Sequence, residues 1–404
     1  MYVIVLEFKN IERRRVVNLL RIVHICLANF YVDGMGYQEN LLPKHHAKEH
    51  EVLIVASDFS FDPSGNRTKK IEKNYLNEYG IPVKVLEKST RYGFYSRYKD
   101  FERVYETLHD FKPDIIFCHG GQFIALKDVI NYCKKNKNVK FFIDQHADFY
   151  NTPVNTLRKR MAQWLIYGYW MRKAVPYVDK FWGVTPWRCQ YLHEVYGLPE
   201  NKIDLLIMGG DDDKIDFENQ HKIRKKIRAK YKFADDDMLI ITGGKIDKEK
   251  NIHLLINAVK EIDYEKVKLL VFGQPSDKYK DEFLQSIENI DKIKYIGWIS
   301  SDESYDYFLA ADLAVFPGTH SVLWEQACAC GLPGLFRYWE GMQHVDVGGN
   351  ALFLREDSKD EIKRVLLDFI KNPEKLANMK KVAQEKAVEI FSYRKIAKRA
   401  ILED

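Results

Sequence analysis

The chain is expected to fold as an α/β protein with two doubly wound domains facing each other across a ligand cleft. Three observations carry this expectation. At 404 residues the chain exceeds what one hydrophobic core usually serves. Its first half alternates short apolar runs (RIVHICLAN, HEVLIVAS, IPVKVL, DIIFCHG and VKFFIDQH) with polar or amphipathic segments, the pattern of a parallel sheet with crossover helices. The second half repeats this with MLIITGG, VKLLVFG, IKYIGW, DLAVFPG and LPGLFRY. Between the halves, LPENKIDLLIMGGDDDKI breaks the periodicity at Pro199, Gly209 and Gly210. The expected domains are therefore residues 1–205 and 206–385, with a helical segment at 386–404 interrupted near Phe391, Ser392 and Tyr393. The opening nineteen residues precede the first strand at Arg21 and read as an added strand and helix or as an upstream start.

An apolar content of 46% suffices for two cores. The six cysteines form no CxxC pair, which fits reduced thiols in a cytosolic setting and argues against disulfides or zinc. No apolar run reaches the roughly 18 to 20 residues of a membrane-spanning helix, and the first ten residues are too mixed for a signal peptide. Residues 1–205 carry 31 Lys and Arg against 23 Asp and Glu, net +8, whereas the remainder is net −3. A basic first domain suits the inner face of an anionic membrane.

Taken in order, the loop ANFYVDGMGYQENLLPKHHAKEH follows the first strand. Gly34 and Gly36 permit a tight turn near phosphate, and Tyr37, Gln38 and Glu39 would stand at the cleft on the acceptor side; a plain turn before a helix N-terminus is the alternative. The strand ending at Ile143 leads into Asp144, Gln145, His146, Ala147 and Asp148. A histidine beside carboxylates at a strand's C-terminal end is placed where open α/β sheets bind ligands. Asp144, His146 and Asp148 offer cation ligands, but alternation along an extended chain is taken to separate them, and no metal is expected. In NTLRKRMAQWLIYGYWMRKAVPYVDKFW, aromatic residues interleave with Arg158, Lys159, Arg160, Arg172 and Lys173. A core helix with snorkelling ends competes there with a membrane interface, and nucleic-acid motifs are absent.

The runs Asp211 to Asp213 and Asp235 to Asp237 sit at element boundaries, so capping and solvation are expected to explain them. In LIITGGKIDKEKN, Gly244 with Lys245 and Lys250 builds a strand-to-helix turn suited to a diphosphate; a turn with solvated lysines is the alternative. Trp298 follows a strand and offers its ring to a base or to the core. In DLAVFPGTHSVLWEQACACGLPGLF, a loop with His320 and Ser321 leads into a helix whose Glu325 can accept from a ribose diol.

These last segments, in this order and spacing, resemble the donor domain of retaining family 4 glycosyltransferases, which have the GT-B fold of two Rossmann-like domains. Lys245 and Lys250 match the Gly-Arg/Lys-x4-Lys turn, and Glu325 to Pro333 match the second glutamate of Glu-x7-Glu and its small-residue helix. Pro317 stands where the first glutamate belongs, which leaves His320 or Ser321 to meet the donor sugar. The resemblance implies a nucleotide diphosphate sugar as donor, UDP-linked by preference, and a glycan or lipid-linked glycan as acceptor. It further implies bacterial surface polysaccharide synthesis as the setting and no cofactor. By the same resemblance, His146 lies near the donor sugar with Asp148 orienting it or touching the acceptor. Lys245 and Lys250 stabilise the leaving diphosphate, Trp298 borders the base, and the terminal helix crosses back to the first domain. Two alternatives stay open: a catalytically idle nucleotide-sugar-binding subunit and a nucleotide-sugar 2-epimerase.

Overall fold

A computed structural model describes residues 19–61, 67–69, 72–89, 99–149 and 156–403. The reading of residues 1–18 and the side chains of Arg158 and Lys159 lie outside this description. The first domain contains β1 (Arg21–Cys26), β2 (Glu51–Ser57), a hairpin of β3 (Phe59–Phe61) and β4 (Arg67–Lys69), β5 (Asn74–Leu76), β6 (Pro82–Leu86), β7 (Ile115–Cys118), β8 (Lys140–Gln145), β9 (Lys180–Gly183) and β10 (Ile203–Leu205). Apart from the hairpin they form one sheet, ordered β10-β9-β8-β7-β1-β2-β6-β5 and parallel except at edge strand β5. The second domain contains β11 (Met238–Ile246), β12 (Val267–Pro275), β13 (Ile293–Tyr295), β14 (Leu313–Phe316), β15 (Gly334–Arg337) and β16 (Ala351–Leu354) in a parallel sheet ordered β13-β12-β11-β14-β15-β16. β7 reads IIFC with every residue buried, because helices cover both faces of the sheet and favour apolar residues at every position.

In both sheets the strand order reverses once, between β1 and β7 and between β11 and β14. Crevices open at such switch points beyond the strands' C-terminal ends, since neighbouring connections leave in opposite directions. The segments after these four strands therefore frame the cleft.

The helix Tyr393–Ala400, capped by Ser392, returns to the first domain. Tyr393, Ile396, Ala397, Ala400 and Ile401 are buried with Ile22, Leu42, Phe142 and Trp182, and Trp182 Nε1 donates to the Ala400 carbonyl at 3.1 Å. Ile396 and Ile401 alone stabilise this docking by roughly 1.5–3 kcal/mol each.

The run Asp211 to Asp213 departs from the solvated cap expected of it. Asp211 is 3% exposed and pairs with Lys44 at 2.5 Å and His45 at 3.1 Å, both on the helix Gln38–His46 of the first domain. Asp213 pairs with Lys48, while Asp212 accepts from Ser392 Oγ and from the Arg394 amide. Asp211, the one of the three that is buried, keeps its charge there because both of its oxygens meet a cationic or donor partner. By contrast, Asp237 caps the Ala234 amide and Asp236 pairs with Lys266 at the surface, in keeping with local capping.

The helix Leu157–Ala174 packs Met171 and Ala174 into the core. Its outer side exposes Leu157, Met161, Trp164, Leu165 and Tyr169, so the core reading holds for only one side of it.

Candidate active site

The segments after β11 and β14 clasp each other. Lys250 Nζ donates to the carbonyls of Thr319 at 2.9 Å and His320 at 3.3 Å. The approach requires a glycine: a Cβ on Gly318 would stand 2.4 Å from backbone atoms of Glu249 and Lys250. Burial pushes the Lys250 pKa down, against the pull of Asp247 and Glu249. The turn expected at Gly244 and Lys245 is instead the end of β11, where they pair with Gly273 and Gln274; Gly244 adopts φ +104°, and Lys245 is solvent-exposed and pairs with Asp247 at 3.2 Å.

Behind the clasp, Glu325 is fully buried and its Oε1 accepts from two histidines, His320 Nε2 at 2.8 Å and His344 Nε2 at 2.9 Å. Its Oε2 has no partner among the described residues. Burial opposes the carboxylate, but the histidines outweigh burial and hold the carboxyl below its usual range. The same burial keeps His320 below its ordinary value despite Glu325.

The first domain brings a second charged group to this place. Arg188 lies on the first turn of the helix Pro186–Tyr196, after β9, where Thr185 caps the helix. One guanidinium nitrogen meets Asp148 at 3.2 Å, while Nε and Nη1 are buried without a partner among the described residues. Lys250, Thr319, His320 and Trp339 of the second domain and Asp148 and Arg188 of the first enclose a cavity of about 280 Å³. A largely buried arginine with two unsatisfied donors opposite a half-buried lysine is suited to an anionic group.

His146 lines a separate hollow of about 430 Å³ with Lys99 and with Asn29, Gln122 and Gln163, whose amides suit hydroxyl groups. The separation expected between Asp144 and His146 does not occur. Asp144 Oδ2 lies 3.3 Å from His146 Nε2, because side chains two residues apart on an extended chain project to the same face. The carboxylate beside His146 is thus that of Asp144, while Asp148 pairs with Arg188. Burial disfavours charge on His146, but Asp144 and Glu39 outweigh it and raise its pKa.

Among the described residues, three groups bring ligand atoms within 4.8 Å of one another: His119, Asp144 and His146; His320, Glu325 and His344; and His45, Asp211 and Asp213. In each, the close atoms are histidine nitrogens facing carboxylate oxygens as hydrogen-bonded pairs.

Two family models match the chain in succession: "Glycosyltransferase Family 4" over residues 37–214 and "Glycosyl transferases group 1" over residues 223–386. The chain belongs to the GT-B glycosyltransferases of the family 4 type. This glycosyltransferase superposes on Anabaena HepE, solved in complex with UDP, with a TM-score of 0.65 at 16% identity, over 94% of this chain and 98% of that one. It superposes on sucrose-phosphate synthase from Thermosynechococcus elongatus with a TM-score of 0.63 at 16% identity, over 94% and 97%. Mannosylfructose-phosphate synthase of Agrobacterium fabrum is 23% identical over 238 residues, 55% of this chain. The glycosyltransferase spans about half, 52%, of that relative's length.

Of the residues singled out in the sequence, Lys250, His320, Glu325, Asp148 and His146 converge on the cleft. Gly36 meets the second domain, where a Cβ would stand 2.6 Å from Ser301 Oγ. Gln38 and Glu39 are buried, and neither polar atom of the Gln38 amide has a partner among the described residues; Tyr37 is exposed. Ser321 accepts from the Leu323 amide and so shapes its own loop. Trp298 is 69% exposed and lines neither cavity. Sequence reasoning missed Arg188 and His344, and it named Asp144 only as a candidate cation ligand, not as the partner of His146. Only Asp144 carried a signal, its place beside His146 at a strand end.

Proposed function

We propose that this chain transfers a sugar, with retention at the anomeric carbon, from a nucleoside diphosphate sugar to a hydroxyl of a glycan or lipid-linked glycan. The cavity shared by Lys250 and Arg188, with Glu325 behind it, carries this reading. UDP is the favoured nucleotide, since HepE, which shares the fold, was solved in complex with it. The diphosphate meets Lys250, Arg188 and the end of β11 at Gly244, with Lys245 closing from solvent. The free Oε2 of Glu325 accepts from the ribose diol. His320, in the loop where the family's first glutamate is replaced, contacts the donor sugar.

When the bond between the anomeric carbon and the β-phosphate oxygen breaks, negative charge grows on the diphosphate and positive charge on the sugar. Two partly buried cations offset the first without a metal, and fixed charges in a water-poor site need no reorganisation. The acceptor hydroxyl, held in the amide-lined hollow, attacks from the side the diphosphate leaves, and its proton passes to the departing phosphate oxygen. His146 holds the acceptor and sugar in register. Surface polysaccharide synthesis on the inner face of a bacterial membrane suits the exposed Leu157, Met161, Trp164, Leu165 and Tyr169 beside Arg160 and Lys173. No helix among the described residues is long and apolar enough to cross a membrane.

Calorimetric titration with UDP, GDP and ADP, with and without EDTA, followed by assay of UDP release from UDP-glucose with glycan acceptors, tests the proposal. Selective, chelator-insensitive binding and acceptor-dependent turnover are expected. Binding without turnover of any sugar conjugate would favour the idle binding subunit, a reading that Pro317 at the position of the first glutamate supports.

A further inference from the structure

Behind His146, a buried chain of histidines runs through the first domain to the C-terminal helix. His46 Nε2 lies 2.8 Å from the Ala397 carbonyl on that helix. His46 Nδ1 meets His24 Nε2 at 2.9 Å, and His24 Nδ1 meets His119 Nε2 at 3.0 Å. His119 Nδ1 meets Asp144 Oδ2 at 3.0 Å, and that oxygen is the one 3.3 Å from His146. The Gly120 amide fills the other oxygen of Asp144 at 2.8 Å. His24, His119 and Asp144 are 0% exposed and His46 4%. The ring of His24 lies edge to edge and nearly coplanar with both neighbours, with centroids 5.1 and 5.2 Å away and interplanar angles of 26° and 23°, as ring-to-ring hydrogen bonds require. Three separate elements supply these rings: β1, the helix Gln38–His46 and the segment after β7.

The hydrogens can be counted. A carbonyl and a carboxylate only accept, so the four links from Ala397 to Asp144 need four N–H hydrogens, whereas three neutral imidazoles carry three. All four links form together only if one ring carries hydrogen on both nitrogens. Burial pushes His24 well below its ordinary value and His46 down to about 3, so both are neutral. His46 and His24 must then carry hydrogen on Nε2 and accept at Nδ1, and the Ala397 end fixes that direction. Such a chain conducts no proton outward, because it ends on a backbone carbonyl. It acts as a strut, in which each ring fixes the rotation of the next.

We propose that His46, His24 and His119 are positioning residues that tie the docking of the C-terminal helix to Asp144, and through it to the orientation of His146 in the cleft. The proposal rests on the transferase reading only in placing His146 beside the substrates. Besides Asp144, the charged groups acting on His146 are Glu39 and Arg188, and neither belongs to the strut.

The test is ring ¹⁵N spectroscopy of the full chain labelled at histidine, for wild type, His24→Leu, His46→Leu and His24→Gln. His50→Leu serves as control, since His50 is a buried neighbour that bonds to Glu403 and lies outside the chain. Wild type should show His24 and His46 as Nε2–H tautomers, with each Nδ1 accepting a hydrogen bond from the next ring. Both leucine variants should move the His146 resonances and shift its titration midpoint by about half a unit or more. His50→Leu should move neither, and His24→Gln, whose amide keeps one donor and one acceptor, should restore most of the wild-type pattern. Unmoved His146 resonances in the leucine variants, with only a lower melting temperature, overturn the proposal. Should neither leucine variant fold, an Nδ1–H tautomer at His24 or His46 in the wild type overturns it. The wild-type pattern in a protein that turns over no nucleotide sugar defeats the transferase reading and leaves the strut standing.

Discussion

Replacing Glu325 separates two roles that its two oxygens hold. Oε1 accepts both histidine hydrogen bonds, and Oε2 is buried and unpartnered among the described residues. Glu325→Ala strands the Nε2 hydrogens of His320 and His344 in a buried site, at about 1–3 kcal/mol each. A destabilisation of about 2–6 kcal/mol is therefore expected. Glu325→Gln keeps a carbonyl for the histidines and places an amide where Oε2 stood. It should cost little stability but remove a charge-assisted hydrogen bond to ribose, worth about 1.5–3 kcal/mol, or roughly 10- to 150-fold in UDP affinity. Thermal unfolding and calorimetric titration with UDP read the two effects independently. Equal UDP affinity in wild type and Glu325→Gln would refute the ribose contact. An undiminished melting temperature in Glu325→Ala would refute the paired-histidine account.

Four further outcomes are expected. Lys250→Ala should lower donor turnover by about 10² to 10³, measured as UDP release, whereas the exposed Lys245→Ala should lower it less. Gly318→Ala should force the two clasped segments apart and cost about 1–3 kcal/mol or more, visible by denaturant titration together with weaker UDP binding. Asp211 and Asp213 are held below their ordinary values, Asp213 at about 2: burial opposes this, but Lys48, Lys44 and His45 outweigh burial. Carboxyls depressed in the fold stabilise it above their unfolded pKa of about 3.9. That contribution should disappear as pH falls from about 4 toward 2, so the melting temperature should drop there more steeply in wild type than in Asp213→Asn. Activity should survive dialysis against EDTA, and its full loss, restored by a divalent cation, would defeat the metal-free reading.

The fold was legible because parallel strands covered on both faces leave continuous apolar runs, as in IIFC and LAVF. The meeting of the segments directly after β11 and β14, which bring Lys250 and Glu325 together with His320, was legible because each segment is continuous in sequence. What was hidden depends on contacts between distant segments. Arg188 is one arginine among many on a helix, and only its burial against Lys250 across the cleft gives it a role. The acidic run at Asp211 reads as a solvated turn until Lys44 and His45 are brought to it from more than 160 positions away. The helix Leu157–Ala174 is apolar around most of its circumference, so its sequence does not reveal which side stays outside.

The chain passes between its domains twice, at 206–211 and again at 390–393, and the two crossings lie side by side. Gly210 forms a parallel bridge with Ser392 and exchanges hydrogen bonds with Phe391 and Tyr393, and Asp212 holds both Ser392 and Arg394. One covalent crossing would leave the domains free to swivel about three axes. Two crossings fastened along their length leave a single easy rotation, as in a door hung on two pins. Lys250 and Arg188, on opposite leaves, can then separate or meet only along one arc, so binding a ligand between them is measured by one angle, which a single pair of distance labels would follow.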